Sequence, residues 1–248
     1  MISLKTARDV SYIRKAGRIA AKTLVLLKKS SRHGINTAFL DKLAEQYIRK
    51  NGGIPAFKGY NGYPATACIS LNEQIVHGIP RETTYLKNGD LVSIDVGVNY
   101  DGYFADTAIS FCIGPSSGKT KHLIKTTKDA LMAGIKYAKP GNRLYDISSA
   151  IQIVAEKNGY SVIRDLVGHG VGYKVHEPPE VPNYGKSGTG PELKTGMVLA
   201  IEPMLSMGTY QIKILDDNWT AVTCDGSLAA HFEHTVYIGR NKAEILTR

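Results

Sequence analysis

Twice in this chain a glycine turn leads into an apolar run that closes on an acid. Lys87-Asn88-Gly89-Asp90-Leu91-Val92-Ser93-Ile94-Asp95 aligns without a gap on Lys194-Thr195-Gly196-Met197-Val198-Leu199-Ala200-Ile201-Glu202. A carboxylate in such a run is buried at high cost unless it is paired or bound to a cation. The repeat therefore predicts two similar halves packed so that their acids converge. Each half also opens on two helices. Val10, Ile13, Gly17, Ala20, Leu24 and Leu27 alternate three- and four-residue steps, and Thr6-x-x-Asp9 suits a capping box at the start. A second helix from about Thr37 turns Leu40, Leu43, Tyr47 and Ile48 inward and stops at Asn51-Gly52-Gly53. In the second half, Leu123, Ile124, Leu131 and Ile135 mark a helix stopped by Pro140-Gly141. Leu144, Ile147, Ile151 and Val154 mark another, stopped by Asn158-Gly159. Strand-rich sequence with a His-Gly step follows each pair: Val76-His77-Gly78-Ile79, then Gly168-His169-Gly170-Val171.

Asp95 and Asp106 flank the turn Asn99-Tyr100-Asp101-Gly102. A symmetric hairpin closed at Tyr100-Asp101 places the two acids directly opposite, with Cα atoms ~4.5–5.5 Å apart. A bulge at Gly102 shifts that pairing by one. Carboxylates so close repel unless a proton or cation lies between them. Asp101 reads as an incidental turn acid, a reading that fits Asp95 poorly. Glu233 is expected within a strand, with Thr235 and Tyr237 on its face and His234 and Val236 on the other. Glu202 precedes Pro203, which suits a strand end. His169 lies between glycines that let the backbone approach closely. Taken alone it reads as a satisfied core histidine. With four acids in apolar settings, it reads as part of a metal centre built mostly of oxygen ligands.

The order and surroundings of these residues are Asp95-x10-Asp106, His169-Gly170-Val171-Gly172 with His176 seven residues on, Glu202-Pro203-Met204 and Glu233-His234-Thr235. Over nearly the whole chain this pattern resembles the methionine aminopeptidases. The resemblance implies an α+β pita-bread fold, with pseudo-two-fold related halves of two helices and an antiparallel sheet, forming one catalytic domain over residues 1–248. It implies Asp95, Asp106, His169, Glu202 and Glu233 as ligands of two divalent metal ions, with Asp106 and Glu233 bridging. Co, Mn, Fe(II) or Zn suits such ligands, and affinity order alone does not choose among them. The implied reaction removes an N-terminal methionine from nascent proteins when the second residue is small, by attack of a dimetal-bound water on the first peptide bond. Glu202 would take that water's proton and pass it to the leaving amine. His77 and His176 would hydrogen-bond the scissile amide and carbonyl. The alternative for His77 is a loop histidine capping the turn before Pro80. Phe57, Tyr60, Tyr63, Cys68 and Trp219 match the family's methionine-pocket positions, the bland alternative being an aromatic turn over the core. Three departures bear on substrate fit. Phe57 stands where some relatives carry cysteine, Val175 stands where many carry an aromatic residue, and Pro178-Pro179 stiffens the same loop.

Prolidases and X-Pro aminopeptidases share this metal set but usually carry a substantial N-terminal domain, whereas here the first helix begins near Met1. Type II methionine aminopeptidases have a helical insertion for which the Gly-, Pro- and Ser-rich connection 181–194 leaves no room. A minimal bacterial-type form of type I, without an N-terminal zinc-binding extension, fits best. The rival from another class is a catalytically dead binding module, which would typically have lost ligands that this chain retains. No apolar run reaches the ~18–20 residues that span a bilayer. The N-terminus lacks the features of a signal peptide, so the cytoplasm is the expected compartment. Cys68, Cys112 and Cys224 form no disulfide framework, and Cys112 and Cys224 are expected as inert core residues. Net charge is +9, concentrated in Arg14-Lys15, Lys28-Lys29 and 119–128. That reads as solvated helix faces, or as weak attraction to a polyanion such as ribosomal RNA. Expected partners are the N-terminal methionine of nascent polypeptides and, weakly, the ribosome. No membrane contact, no specific DNA binding and a monomeric state are expected.

Overall fold

The computed structural model describes residues 2–248. Helix α1 (Ala7–Ser30) starts at the Thr6 cap, where the Thr6 hydroxyl accepts the Asp9 N–H and the Asp9 carboxylate accepts the Thr6 N–H. Its face of Val10, Ile13, Ala20, Leu24 and Leu27 is buried, each large side chain contributing about 1.5–3 kcal/mol. Gly17 lies on the same face because a Cβ there would sit 2.5 Å from the Leu246 carbonyl oxygen. Helix α2 (Thr37–Lys50) is capped by Asn36 and ends at Asn51. Helices α3 (Gly118–Tyr137) and α4 (Leu144–Lys157) repeat the plan and end before Pro140-Gly141 and Asn158-Gly159.

Each helix pair covers one apolar core. Under α1 and α2 lie Ile69, Val92, Ile94 and Val96; under α3 and α4 lie Leu199, Ile201, Leu205 and Val236. The first half centres on the strand Leu91–Tyr100, paired with Ala67–Leu71 and Ile54–Pro55 on one edge and Tyr103–Cys112 on the other. The second centres on Val198–Ile201, within a five-stranded sheet that also holds Gly168–Gly170, Glu177–Val181, His234–Ile238 and Ala243–Ile245. The two turns paired in the sequence repeat place Gly89 at φ 95° and Gly196 at φ 100°, a backbone state that suits glycine. The mixed architecture, with four α-helices among the described residues, is the α+β arrangement expected. No helix among the described residues is long and apolar enough to cross a membrane.

Three expectations are corrected. The hairpin closes at Asp101-Gly102, with φ 54° and 82°, rather than at Tyr100-Asp101. Asp-Gly is a favoured pair for a two-residue turn with both φ positive, and it needs no bulge. Asp95 therefore pairs with Ala108 and Asp106 with Gly97. The acids are offset by two residues and share a face as diagonal neighbours. Glu233 is not inside a strand. It falls between Ala229–His231 and His234–Ile238, where the chain changes partners: Phe232 donates to Pro203 O and Glu233 to Ala108 O. Cys224 is exposed and Cys112 partly so, leaving Cys68 as the buried thiol. Cys224 follows the strand Ala221–Thr223 into the turn at Gly226, beyond the reach of the core.

Candidate metal centre and adjoining pocket

Strand segments from both halves, with the strand end at Glu202 and the break at Glu233, meet around one cavity of about 440 Å³. Asp95 and Asp106 come from the hairpin, His169 from the strand Gly168–Gly170, Glu202 from the residue after Val198–Ile201, and Glu233 from the break described above. Ligand atoms of Asp106, His169 and Glu233 all lie within 4.8 Å of one another. His169 Nε2 is 3.4 Å from Glu202 Oε1 and 3.5 Å from Asp106 Oδ2. Asp106 is tied to the neighbouring sheet through Thr235, whose hydroxyl accepts its N–H at 3.1 Å and donates to its carbonyl oxygen at 2.8 Å.

The electrostatics of this cluster suit a cation. Burial, reinforced by neighbouring carboxylates, pushes Asp95, Glu202 and Glu233 well above the ordinary carboxyl range. Burial also raises Asp106, to about 6, while the neighbouring His176 and the Thr235 hydroxyl hold it lower than burial alone would. Burial lowers His169 to about 4, so its imidazole is neutral at neutral pH. The Nδ1 of His169 is 2.9 Å from the Gly170 carbonyl, which can only accept, so Nδ1 carries the proton. The Nε2 lone pair is then aimed at acids that repel one another. Asp95 Oδ1 is buried with no hydrogen-bond partner, a state that normally costs about 1–3 kcal/mol. One neutral imidazole, an orphaned carboxylate oxygen and three further acids fit a divalent cation with oxygen-rich ligation.

The adjoining wall is aromatic and contains the pocket residues and the two histidines expected from the sequence. Phe57, Tyr60, Tyr63, Cys68, His77, His176 and Trp219 all line the same cavity. Tyr63 meets Trp219 edge-on at 5.1 Å between centroids, and its hydroxyl donates between the Ala67 and Gly78 carbonyls. Phe57 lies over the hairpin at Gly97, where a Cβ would approach its ring to 2.4 Å. His77 takes φ 60°, unusual for a side-chain-bearing residue, and its ring stands edge-on to Trp219 at 6.2 Å. Such a conformation is uncommon for a residue with a side chain, though histidine adopts it more readily than most. His176 Nδ1 is 2.9 Å from the Tyr60 hydroxyl, and its ring is 4.1 Å from that of His169. Burial lowers His77 and His176 to about 4.

Val175, one of the departures expected to bear on substrate fit, is buried beside a separate hollow with Phe104 and Tyr173. Sequence reasoning missed Val76, Leu166, Val167 and Met204, which complete the apolar lining. Three of the four flank His77 and the Gly168-His169 step, so adjacency to the predicted histidines was the available signal. Met204 stood in the quoted Glu202-Pro203-Met204 segment without being given a role.

The model of metallopeptidase family M24 matches residues 11–240. A methionine aminopeptidase of Clostridium acetobutylicum is 51% identical over 247 residues, spanning 100% of this chain and 99% of its own length. Methionine aminopeptidase 1 of Bacillus subtilis is 50% identical, with 100% of both chains covered. The crystal structure of a methionine aminopeptidase from Thermotoga maritima superposes with a TM-score of 0.99 at 45% identity, covering 100% of each chain.

Proposed function

The chain belongs to metallopeptidase family M24 and catalyses metal-dependent removal of N-terminal methionine, and we propose that Asp95, Asp106, His169, Glu202 and Glu233 hold two divalent ions for that reaction. The observation that carries this reading is the convergence of the Asp106, His169 and Glu233 ligand atoms within 4.8 Å, beside acids whose protons a cation would replace. Asp106 and Glu233 would contribute to holding both ions. A bound divalent cation supplies Lewis-acid polarisation of a carbonyl and a more acidic water.

The rest follows from the chain's own side chains. Phe57, Tyr60, Tyr63, Cys68 and Trp219 receive the methionine side chain, in an apolar recess floored by the buried Cys68. The recess abuts the acids because Cys68 pairs directly with Asp95 across the sheet. Glu202 takes a proton from the attacking water and returns it to the leaving amine. The Tyr60 hydroxyl donates to His176 Nδ1, which leaves the proton on Nε2 to stabilise charge on the substrate carbonyl. His77, neutral and held by its backbone, is placed to hydrogen-bond the scissile amide. The narrow cavity favours a small second residue.

The segment 182–197 contains no helix, which supports type I over type II. We also read residues 1–248 as one catalytic domain, since both halves line the cavity, and we expect it to act as a cytoplasmic monomer with weak ribosome contact. Calorimetric titration of Mn(II) or Co(II) into the chelator-treated protein tests the ligand set. Two sites in the wild type, reduced in Glu233→Ala, are expected. Undiminished binding by that variant would overturn it.

A further inference from the structure

The most deeply buried lysine–carboxylate pair lies just behind His176. Lys5 Nζ is 2.5 Å from Glu177 Oε2, with side chains 1% and 7% exposed, whereas the lysine and arginine partners of the other carboxylate pairs are between 31% and 73% exposed. The Ser3 hydroxyl donates to the same oxygen at 2.5 Å. The other oxygen, Glu177 Oε1, accepts the backbone N–H groups of Tyr173 at 2.5 Å and Lys174 at 2.9 Å. One carboxylate thus ties both ends of the loop 173–177 together, and His176 is the residue before it.

The lysine also shapes the loop. Lys5 Cε lies 2.6 Å from where a Cβ on Gly172 would stand, and Nζ lies 4.8 Å from the Tyr173 ring centroid. Lys5 itself is fixed by its N–H donating to Gly196 O at 2.7 Å. Tyr173 is pinned from the far side, its hydroxyl donating to Asp9 Oδ2 at 2.8 Å. Between Val171 and His176 no residue lies in a strand or helix. Backbone bonds hold the loop's start, Phe104 N–H to Gly172 O at 2.8 Å and Gly172 N–H to Lys174 O at 3.1 Å, and these side chains add to them as far as Glu177. Buried ion pairs contribute little net stability compared with apolar replacements, and fixing one conformation is among their attested uses.

We propose that Ser3, Lys5 and Glu177 are positioning residues of the reaction, setting where His176 stands. This rests on the reading of His176 as a group that meets the substrate. A displacement of about 1 Å at a catalytic group can cost about a hundredfold in rate.

The test is a double-mutant cycle on the metal-loaded enzyme with Met-Ala-Ser as substrate. Lys5→Met is expected to lower kcat about tenfold to a hundredfold, with KM little changed, a lower thermal midpoint because the buried Glu177 carboxylate loses its partner, and Lys5→Arg recovering part of both losses. In a His176→Ala background the same change should lower kcat less than about twofold, since the group it positions is gone. Exchange of the Tyr173 and Lys174 amides should accelerate in Lys5→Met. Ser3→Ala, a smaller perturbation, should show the same dependence on background if Lys5→Met folds poorly. Equal losses in both backgrounds, or no loss in either, overturn the proposal. If His176→Ala alone leaves kcat unchanged, the reading of His176 fails first and this proposal falls with it.

Discussion

Asp95 and Asp106 lie diagonally across one hairpin, Asp95 opposite Ala108 and Asp106 opposite Gly97. Each acid therefore faces a residue with little or no side chain, and the space above Gly97 is taken by the Phe57 ring.

Gly97→Ala should push Phe57 into the methionine recess. The added Cβ would lie 2.4 Å from the ring, and relief requires moving a side chain that lines the cavity. We expect KM for Met-Ala-Ser to rise several-fold, with a stability loss of about 1–3 kcal/mol. Steady-state kinetics and denaturant unfolding check both. An unchanged KM would place Phe57 outside the recess.

Asp106→Asn should move stability and activity in opposite directions. The variant keeps the shape but removes one of several crowded acids, so the metal-free protein should melt higher than wild type. Activity should fall by more than the ~10–100-fold typical of losing an outer-shell partner. Thermal melts in chelator and peptide assays with metal measure the two effects. Retained activity would remove Asp106 from the ligand set.

The metal-free protein should lose stability as pH rises above the ordinary histidine range. Asp95, Glu202 and Glu233 are raised well above their ordinary values by burial. Their protonated forms favour the folded state at low pH, and that contribution is lost as pH rises through the raised values. Burial lowers His77, His169 and His176 to about 4. They act in the opposite sense, but only up to the ordinary histidine range near 6.5. Above it the carboxyl slope stands alone, until the buried Cys68 thiol adds to it near pH 8.5. Melting temperatures across pH should fall in chelator and flatten with saturating metal. A rising or flat curve in chelator contradicts the electrostatic account.

Tyr60→Phe should lower kcat about tenfold, the scale of a lost partner that orients a catalytic imidazole. The lost hydroxyl lies 2.9 Å from His176 Nδ1, while the ring that touches substrate remains, so KM should change little. The kcat and KM values separate these roles.

The helices were legible because caps and spacing are local: Thr6, Asn51 and Pro140 stop or start them without help from the rest of the chain. The ligand set was legible because buried acids conflict with their apolar neighbours and so stand out. Register carried a local signal too, since Asp101-Gly102 is a favoured pair for a turn with left-handed backbone at two residues, but a turn centred on Tyr100-Asp101 overlooks it. The break at Glu233 was hidden. Its alternation is consistent with a strand, and only the contacts of Phe232 with Pro203 and of Glu233 with Ala108 interrupt it. The Lys5–Glu177 pair joins residues 172 apart, and no local pattern announces such a contact.

The most direct test of the central claim is hydrolysis of Met-Ala-Ser and Ala-Pro-Ser by the chelator-treated protein, with Mn(II), Fe(II), Co(II) or Zn(II) restored anaerobically. Methionine released from the first peptide alone, and only with metal present and Glu233 intact, is the predicted result. Cleavage without metal, equal activity in Glu233→Ala, or cleavage of the Ala-Pro peptide instead would contradict it.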